Sequence, residues 1–128
     1  MTEIKLENVS YAYDEQQILK DISLEVEAGQ VVAILGPSGV GKTTLFNLIA
    51  GILEVQSGRI VLDGQENPKG RVSYMLQKDL LLEHKTVLGN VILPLLIRKV
   101  YKKEATQQAS QILKEFGLFD VADKYPHE

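Results

Sequence analysis

Eight consecutive residues, Gly36-Pro37-Ser38-Gly39-Val40-Gly41-Lys42-Thr43, carry the pattern G-x-x-x-x-G-K-[ST] at every fixed position. That pattern is suited to holding phosphate. Glycines at 36, 39 and 41 admit backbone conformations that a Cβ would block. The turn can then aim successive N–H groups inward as a nest for anionic oxygens. Lys42 adds a mobile positive charge within reach of β- and γ-phosphates, and Thr43 offers a hydroxyl to Mg²⁺, which takes oxygen ligands. Thr44 follows in the first turn of the expected helix, whose positive dipole end faces the same anion. The candidate phosphate site is therefore Gly36, Pro37, Ser38, Gly39, Val40, Gly41, Lys42, Thr43 and Thr44.

Such a loop needs a strand before it and a helix after it. Val31-Val32-Ala33-Ile34-Leu35 is an unbroken apolar run, which predicts a strand buried on both faces. After the loop, Leu45, Leu48 and Ile49 fall at helical spacing, and Gly51 stands where a C-terminal cap belongs. Upstream, Ile4, Leu6 and Val9 lie close to strand alternation. Asp14-Glu15-Gln16-Gln17 reads as a polar turn, and Ile22, Leu24 and Val26 alternate with Ser23, Glu25 and Glu27. Downstream, Ser57-Gly58 opens a short strand to Leu62, Asp63-Gly64 is a strong turn signal, and Arg71 to Leu76 reads as a further strand ending at Gln77.

From Thr86 the pattern becomes helical. Thr86 suits an N-cap for a helix carrying Val87, Leu88, Val91 and Ile92, which Pro94 is expected to end or kink. Lys103 to Phe116 predicts a second helix with Ala105, Ala109, Ile112, Leu113 and Phe116 on one face, capped by Gly117. Residues 119–125 have room for another helical turn. The expected organisation is an α/β body over 1–83 and the start of a helical subdomain over 84–128.

Composition excludes several chemistries. The chain has 128 residues, 45% of them apolar and 24% charged, as in an ordinary globular protein. Its formal net charge of −3 provides no broad basic field, which argues against nucleic acid as the main partner. With no cysteine, disulfides, thiolate catalysis and Cys-based zinc sites are ruled out. His84 and His127 are too far apart in sequence for a metal-ligand spacing. Met1 to Lys5 do not resemble a secretory signal, so a cytosolic location is expected.

Further motifs place the phosphate loop within a family. Asn8-Val9-Ser10-Tyr11-Ala12-Tyr13 resembles the aromatic A-loop of the nucleotide-binding subunits of ATP-binding cassette (ABC) transporters. By that match Tyr13, rather than Tyr11, stacks on adenine. Ile18 to Leu24 with Gly29-Gln30 resembles the hairpin that delivers the chain to the phosphate loop, and Ser57 to Gly64 resembles the turn after the first helix. Gln77, followed by Lys78-Asp79-Leu80, resembles the Q-loop, although Leu76 stands where members often carry phenylalanine. Thr86 to Val91 is similar to the start of the helical subdomain. Lys124-Tyr125-Pro126-His127-Glu128 resembles the stretch before the LSGG signature in importers, nearest in flavour to the nitrate, sulfonate, taurine and pyrimidine-precursor group.

The resemblance implies a P-loop NTPase (RecA-like) α/β core with an N-terminal antiparallel β-subdomain, the beginning of a helical subdomain, and an incomplete sheet. It implies ATP and Mg²⁺ as cofactors, with Thr43 and Gln77 on the metal and Gln77 also on the attacking water. The implied partners are a transmembrane permease and a second ATP-binding subunit in a head-to-tail dimer. The implied location is the cytoplasmic face of the membrane, held there by the permease, with substrate import as the work done.

The family's remaining catalytic parts are missing from this sequence. No LSGG motif occurs, and neither histidine stands as the switch histidine. The one near match to a Walker B strand, Ile60-Val61-Leu62-Asp63, runs into a turn. The expectation is that these residues bind ATP and do not hydrolyse it, since phosphoryl transfer needs a positioned water as well as charge stabilisation. An alternative is a truncated stand-alone nucleotide-binding module without enzymatic activity. A small P-loop kinase fits less well, because Arg59, Arg71 and Arg98 are scattered rather than gathered in a lid. An unpaired sheet edge and an uncovered apolar face are expected, with self-association as the consequence.

Overall fold

The computed structural model describes residues 3–37, 39 and 41–128. These fall into two compact units, Met1–Met75 and Leu76–Glu128.

The first unit is built on an antiparallel sheet of order β2-β1-β3-β4. Strand β1 spans Ile4–Tyr13 and β2 spans Gln16–Val26. They are joined by a tight turn at Asp14-Glu15, so that Tyr13 pairs with Gln16. The apolar spacing along both strands contains a step of three: Leu6 to Val9 on β1, and Leu19 to Ile22 on β2. Each step marks a bulge. Asn8 (φ 50°) and Asp21 (φ 47°) take left-handed backbone, and the pairing shifts register beside each. The extra residue restores apolar side chains to the inner face, which plain alternation would have turned outward. A serine on the opposing strand accepts from each bulged amide. Asn8 N–H donates to Ser23 Oγ at 3.0 Å, and Asp21 N–H donates to Ser10 Oγ at 2.9 Å.

Strand β3 (Ser57–Leu62) pairs with the other edge of β1 and turns through Asp63-Gly64 into the two-residue β4, Gln65–Glu66. Both turn residues have positive φ, which matches a two-residue hairpin of type I′. Asp63 serves as a turn former, its Oδ1 accepting from Glu3 N–H. On the solvent side Glu7 binds the Arg59 guanidinium, which holds the Glu7 carboxyl below its ordinary pKa. Helix α1, Lys42–Ile49, lays Leu45 and Leu48 onto the inner face against Leu6, Val9, Tyr11, Leu19 and Ile60. It ends as expected at Gly51 (φ 76°). Gly51 N–H donates to Leu48 O and Ile52 N–H to Asn47 O, a Schellman arrangement.

Two expected strands do not form. Residues 31–35 make no ladder, and Val31 and Leu35 are 99% and 91% exposed. Only Ile34 of that run packs against the core. Arg71 to Leu76 likewise carries no strand, with Met75 93% exposed. The composition of both stretches suits a strand, but a strand exists only through its neighbours. No described segment offers these two a parallel partner. The second stretch is tied down by side chains instead. Arg71 Nη2 donates to Leu62 O at 3.0 Å, and the Tyr74 hydroxyl donates to Asn47 Oδ1 at 3.0 Å.

In the second unit, α2 (Val87–Ile97) packs against α3 (Lys102–Glu115), and a 3₁₀ turn follows at Phe119–Val121. All four leading amides of α2 are satisfied. Val87 and Leu88 donate to the carbonyls of Lys124 and Ala122, Gly89 donates to Thr86 Oγ1, and Asn90 donates to Thr86 O. The Asn90 side chain closes the loop before the helix by accepting from Leu82 N–H and donating to the Leu82, Lys85 and Thr86 carbonyls. Pro94 does not end α2, which continues for three more residues. Its cost is one missing N–H donor, and the C-terminal turn still closes through Arg98 N–H to Pro94 O. On α3, Ala105, Ala109 and Leu113 are buried as expected, whereas Ile112 and Phe116 face outward. The buried stripe is the narrower row of i, i+4, i+8 positions. Gly117 (φ 69°) caps α3 as α1 is capped, by donating to Lys114 O.

Candidate functional site

The phosphate loop enters α1 through Gly41, which is the helix N-cap and has φ 94°. Gly39 is also left-handed, at φ 85°. At Gly41 there is a second requirement. A Cβ there would lie 2.9 Å from a Leu19 methyl and 3.2 Å from the Ile18 carbonyl oxygen. The loop is therefore seated directly on strand β2, and glycine is what allows that approach. Ser38 and Val40 of the candidate site lie outside the described residues.

Among the described residues no side chain caps the start of α1, and no acidic residue occupies its first turn. This contrasts with α2, where every leading amide has a partner. The amide edge and the positive end of the dipole at α1 thus remain available to an anion. The Lys42 ammonium turns back to the Gly36 carbonyl and spans the loop from its last position to its first. Thr43 is exposed, so its hydroxyl is accessible, whereas Thr44 is buried. Thr44 belongs with Leu45 and Leu48 on the inner face of the helix.

The residues at hand fit a magnesium–nucleotide complex. Among the described residues no group of three or more His, Cys, Asp or Glu could hold a metal. The available donors are the Thr43 hydroxyl and a nucleotide's own phosphate oxygens, a set that suits an oxygen-seeking ion with few protein ligands.

Tyr11 and Tyr13 are two apart on β1 and meet edge to face, with centroids 5.1 Å apart and planes at 77°. Their roles separate by burial. Tyr11 is 9% exposed and belongs to the core, while Tyr13 is 47% exposed and presents ring surface outward. Tyr11 is also the register partner of Leu19, the residue against which Gly41 packs. The aromatic pair and the phosphate loop are thereby linked through one β-hairpin. Gln77 is exposed and lies in a bend of the second unit, whereas Tyr13 and the phosphate loop belong to the first.

Sequence reading overlooked one side chain near the candidate base site. Gln56, immediately before β3, exchanges two hydrogen bonds with the backbone of Ala12. Its only sequence signal is its position next to Ser57-Gly58. A cleft of about 590 Å³ is bordered by the C-terminal end of α1 and by β3, with Ile52, Arg59 and Lys69 among its lining. None of the described residues among 36–44 lines it, so its size does not bear on the phosphate chemistry.

Comparison with known proteins gives a consistent picture. A family model described as ABC transporter matches residues 19–128. The spermidine/putrescine import ATP-binding protein PotA of Thermotoga maritima is 37% identical over 98% of this chain and 36% of its own length. The bacitracin export ATP-binding protein BceA of Halalkalibacterium halodurans is 36% identical over 90% of this chain and 50% of its own length. Among solved structures, the ATP-binding cassette MJ0796, a dimer in a post-hydrolysis state bound to ADP and Pi, aligns with a TM-score of 0.80 at 27% identity. That alignment covers 97% of this chain and 62% of that one. The chain thus spans half or less of the length of these two curated relatives.

Proposed function

Given that this chain belongs to the ABC transporter family, we propose that it is the nucleotide-binding part of a transport ATPase and binds ATP with Mg²⁺ through residues 36–44. The observation that carries this reading is the N-terminus of α1, acid-free and without a side-chain cap among the described residues, entered through the left-handed Gly41. Lys42, whose ammonium rests on the Gly36 carbonyl, would hold the β- and γ-phosphates, an anionic acceptor in place of a neutral one. Thr43 supplies its hydroxyl to the metal, and Tyr13 presents its exposed ring to adenine. By the resemblance of its loop to the Q-loop, Gln77 would serve the metal and the attacking water. Bound Mg²⁺ neutralises phosphate charge.

In the whole protein this binding would power movement of a substrate through a permease, with the ATP-binding part attached to the cytoplasmic face of the membrane. Among the described residues no helix is long and apolar enough to cross a membrane. MJ0796 was solved as a dimer with ADP and Pi, which supports pairing of two such subunits. Import is the direction we propose, from the Lys124-Tyr125-Pro126 tail. The relatives do not favour it, since import and export proteins match at 37% and 36% identity. They also give no support to the nitrate, sulfonate, taurine or pyrimidine-precursor group in particular.

The 128 residues alone bind ATP without turning it over, because the carboxylate that ends an apolar strand, Asp63, sits in a turn and accepts from Glu3 N–H instead of orienting water. Titration with Mg-ATP and a multiple-turnover phosphate assay test this. Lys42→Ala should weaken ATP binding by about tenfold or more, the value of a charge-assisted contact. Phosphate release should be at background in both proteins. Release by the wild type that Lys42→Ala abolishes would overturn the binding-only reading, and unchanged affinity in Lys42→Ala would overturn the site.

A further inference from the structure

We propose that Gln56 is a positioning residue for the aromatic platform at Tyr13, so that the base-dependent part of nucleotide affinity requires a carboxamide at position 56. This rests on the reading of Tyr13 as the adenine-stacking residue. Pairing between β1 and β3 runs out at Ser10 opposite Ser57, where β3 begins. Ala12 is the next residue of β1 whose backbone faces that edge. Strand β3 has no residue left to meet it, and the Gln56 side chain takes the place of one. Ala12 N–H donates to Gln56 Oε1 at 2.8 Å, and Gln56 Nε2 donates to Ala12 O at 3.0 Å. One planar group thus both accepts and donates, as a paired strand residue would.

The chemistry is specific to a carboxamide. A carboxylate has two acceptors and would set a negative oxygen against the Ala12 carbonyl, and an aliphatic side chain offers neither group. The bonds fix the peptide between Tyr11, which is in the core, and Tyr13, which is not. Beyond Tyr13 the chain turns at Asp14-Glu15, and its ring is braced by one edge contact with Tyr11. Tyr13 is held on one side by its pairing with Gln16 and on the other, through Ala12, by Gln56, and the two together set the direction in which its ring faces. A base stacks productively only on a ring already held in place, since ordering it on binding would cost affinity.

The test uses the 128-residue chain and two probes, Mg-ATP and inorganic tripolyphosphate with Mg²⁺, against wild type, Gln56→Leu, Gln56→Glu, Tyr13→Ala and the Tyr13→Ala/Gln56→Leu double variant. Gln56→Glu is nearly isosteric and serves where Gln56→Leu folds poorly. Either substitution should weaken ATP about fivefold, a part of what base stacking is worth, and leave tripolyphosphate within about twofold. In the Tyr13→Ala background, Gln56→Leu should change ATP affinity by less than about twofold, because the two residues act as one unit. If Tyr13→Ala weakens ATP and neither Gln56 variant does, the inference fails and the adenine site stands. If Tyr13→Ala has no effect, the adenine reading fails and takes the inference with it. Equal weakening of both probes, or a Gln56 effect that persists undiminished without Tyr13, would make Gln56 a general support of the fold and overturn the positioning role.

Discussion

At the scale of the residue, this fold depends on places where backbone approaches backbone. Gly41 is one, seated on Ile18 and Leu19. Gly58 is a tighter one. It lies beside the Asn8 bulge with φ 79°, and a Cβ there would sit 2.2 Å from the Asn8 carbonyl oxygen. No flexible side chain can yield, because the atoms in the way belong to the backbone of β1. Gly58→Ala should therefore cost about 3 kcal/mol or more, combining left-handed strain with overpacking. Chemical denaturation should show the midpoint falling with an unchanged slope. A shift equivalent to less than about 1 kcal/mol would mean that the bulge relaxes and the contact is not restrictive.

At the scale of the element, the two helix starts differ in a way that fits their roles. The first turn of α2 is closed by Thr86 and by the carbonyls of Ala122 and Lys124, so it is a structural joint within the second unit. The start of α1 has no such side chain among the described residues. Thr86→Ala should destabilise the second unit by about 1 kcal/mol, the usual value of an N-cap, since Gly89 N–H loses its acceptor. Hydrogen exchange should read this as faster exchange at Gly89 and Asn90, with α1 amides unaffected. Equal acceleration in α1 would mean that the two units do not open independently. The sheet shows the same economy, as each bulged amide on one strand is met by a serine hydroxyl of the other.

At the scale of the molecule, the first unit leaves apolar residues in water. Val31, Leu35 and Met75 are each more than nine-tenths exposed. Apolar exposure of this kind marks a surface that others cover, and the chain spans only 36% and 50% of the length of the two curated relatives named above. Alone in solution, the chain should self-associate. Sedimentation velocity should show a weight-average mass that rises with concentration, and replacing Val31 and Leu35 together with glutamate should lower it. A concentration-independent monomer with a sharp cooperative melt would contradict this, and would mean that the two stretches are covered in solution.

Legibility in the sequence follows the range of the interaction involved. The phosphate loop, the Asp63-Gly64 turn, the Thr86 cap and the glycine ends of α1 and α3 were all readable. Each is decided within a few residues, by the conformations its own side chains allow. The bulges left a visible trace in the three-residue steps Leu6 to Val9 and Leu19 to Ile22, but alternation alone does not say which strand answers them. What the tertiary structure alone decided was non-local. It buried Tyr11 and left Tyr13 exposed, turned Ile112 and Phe116 outward, and brought Gln56 to Ala12 across 44 residues. It also left 31–35 and 71–76 without ladders, because a strand's hydrogen bonds are made by whatever chain lies beside it and not by its own composition.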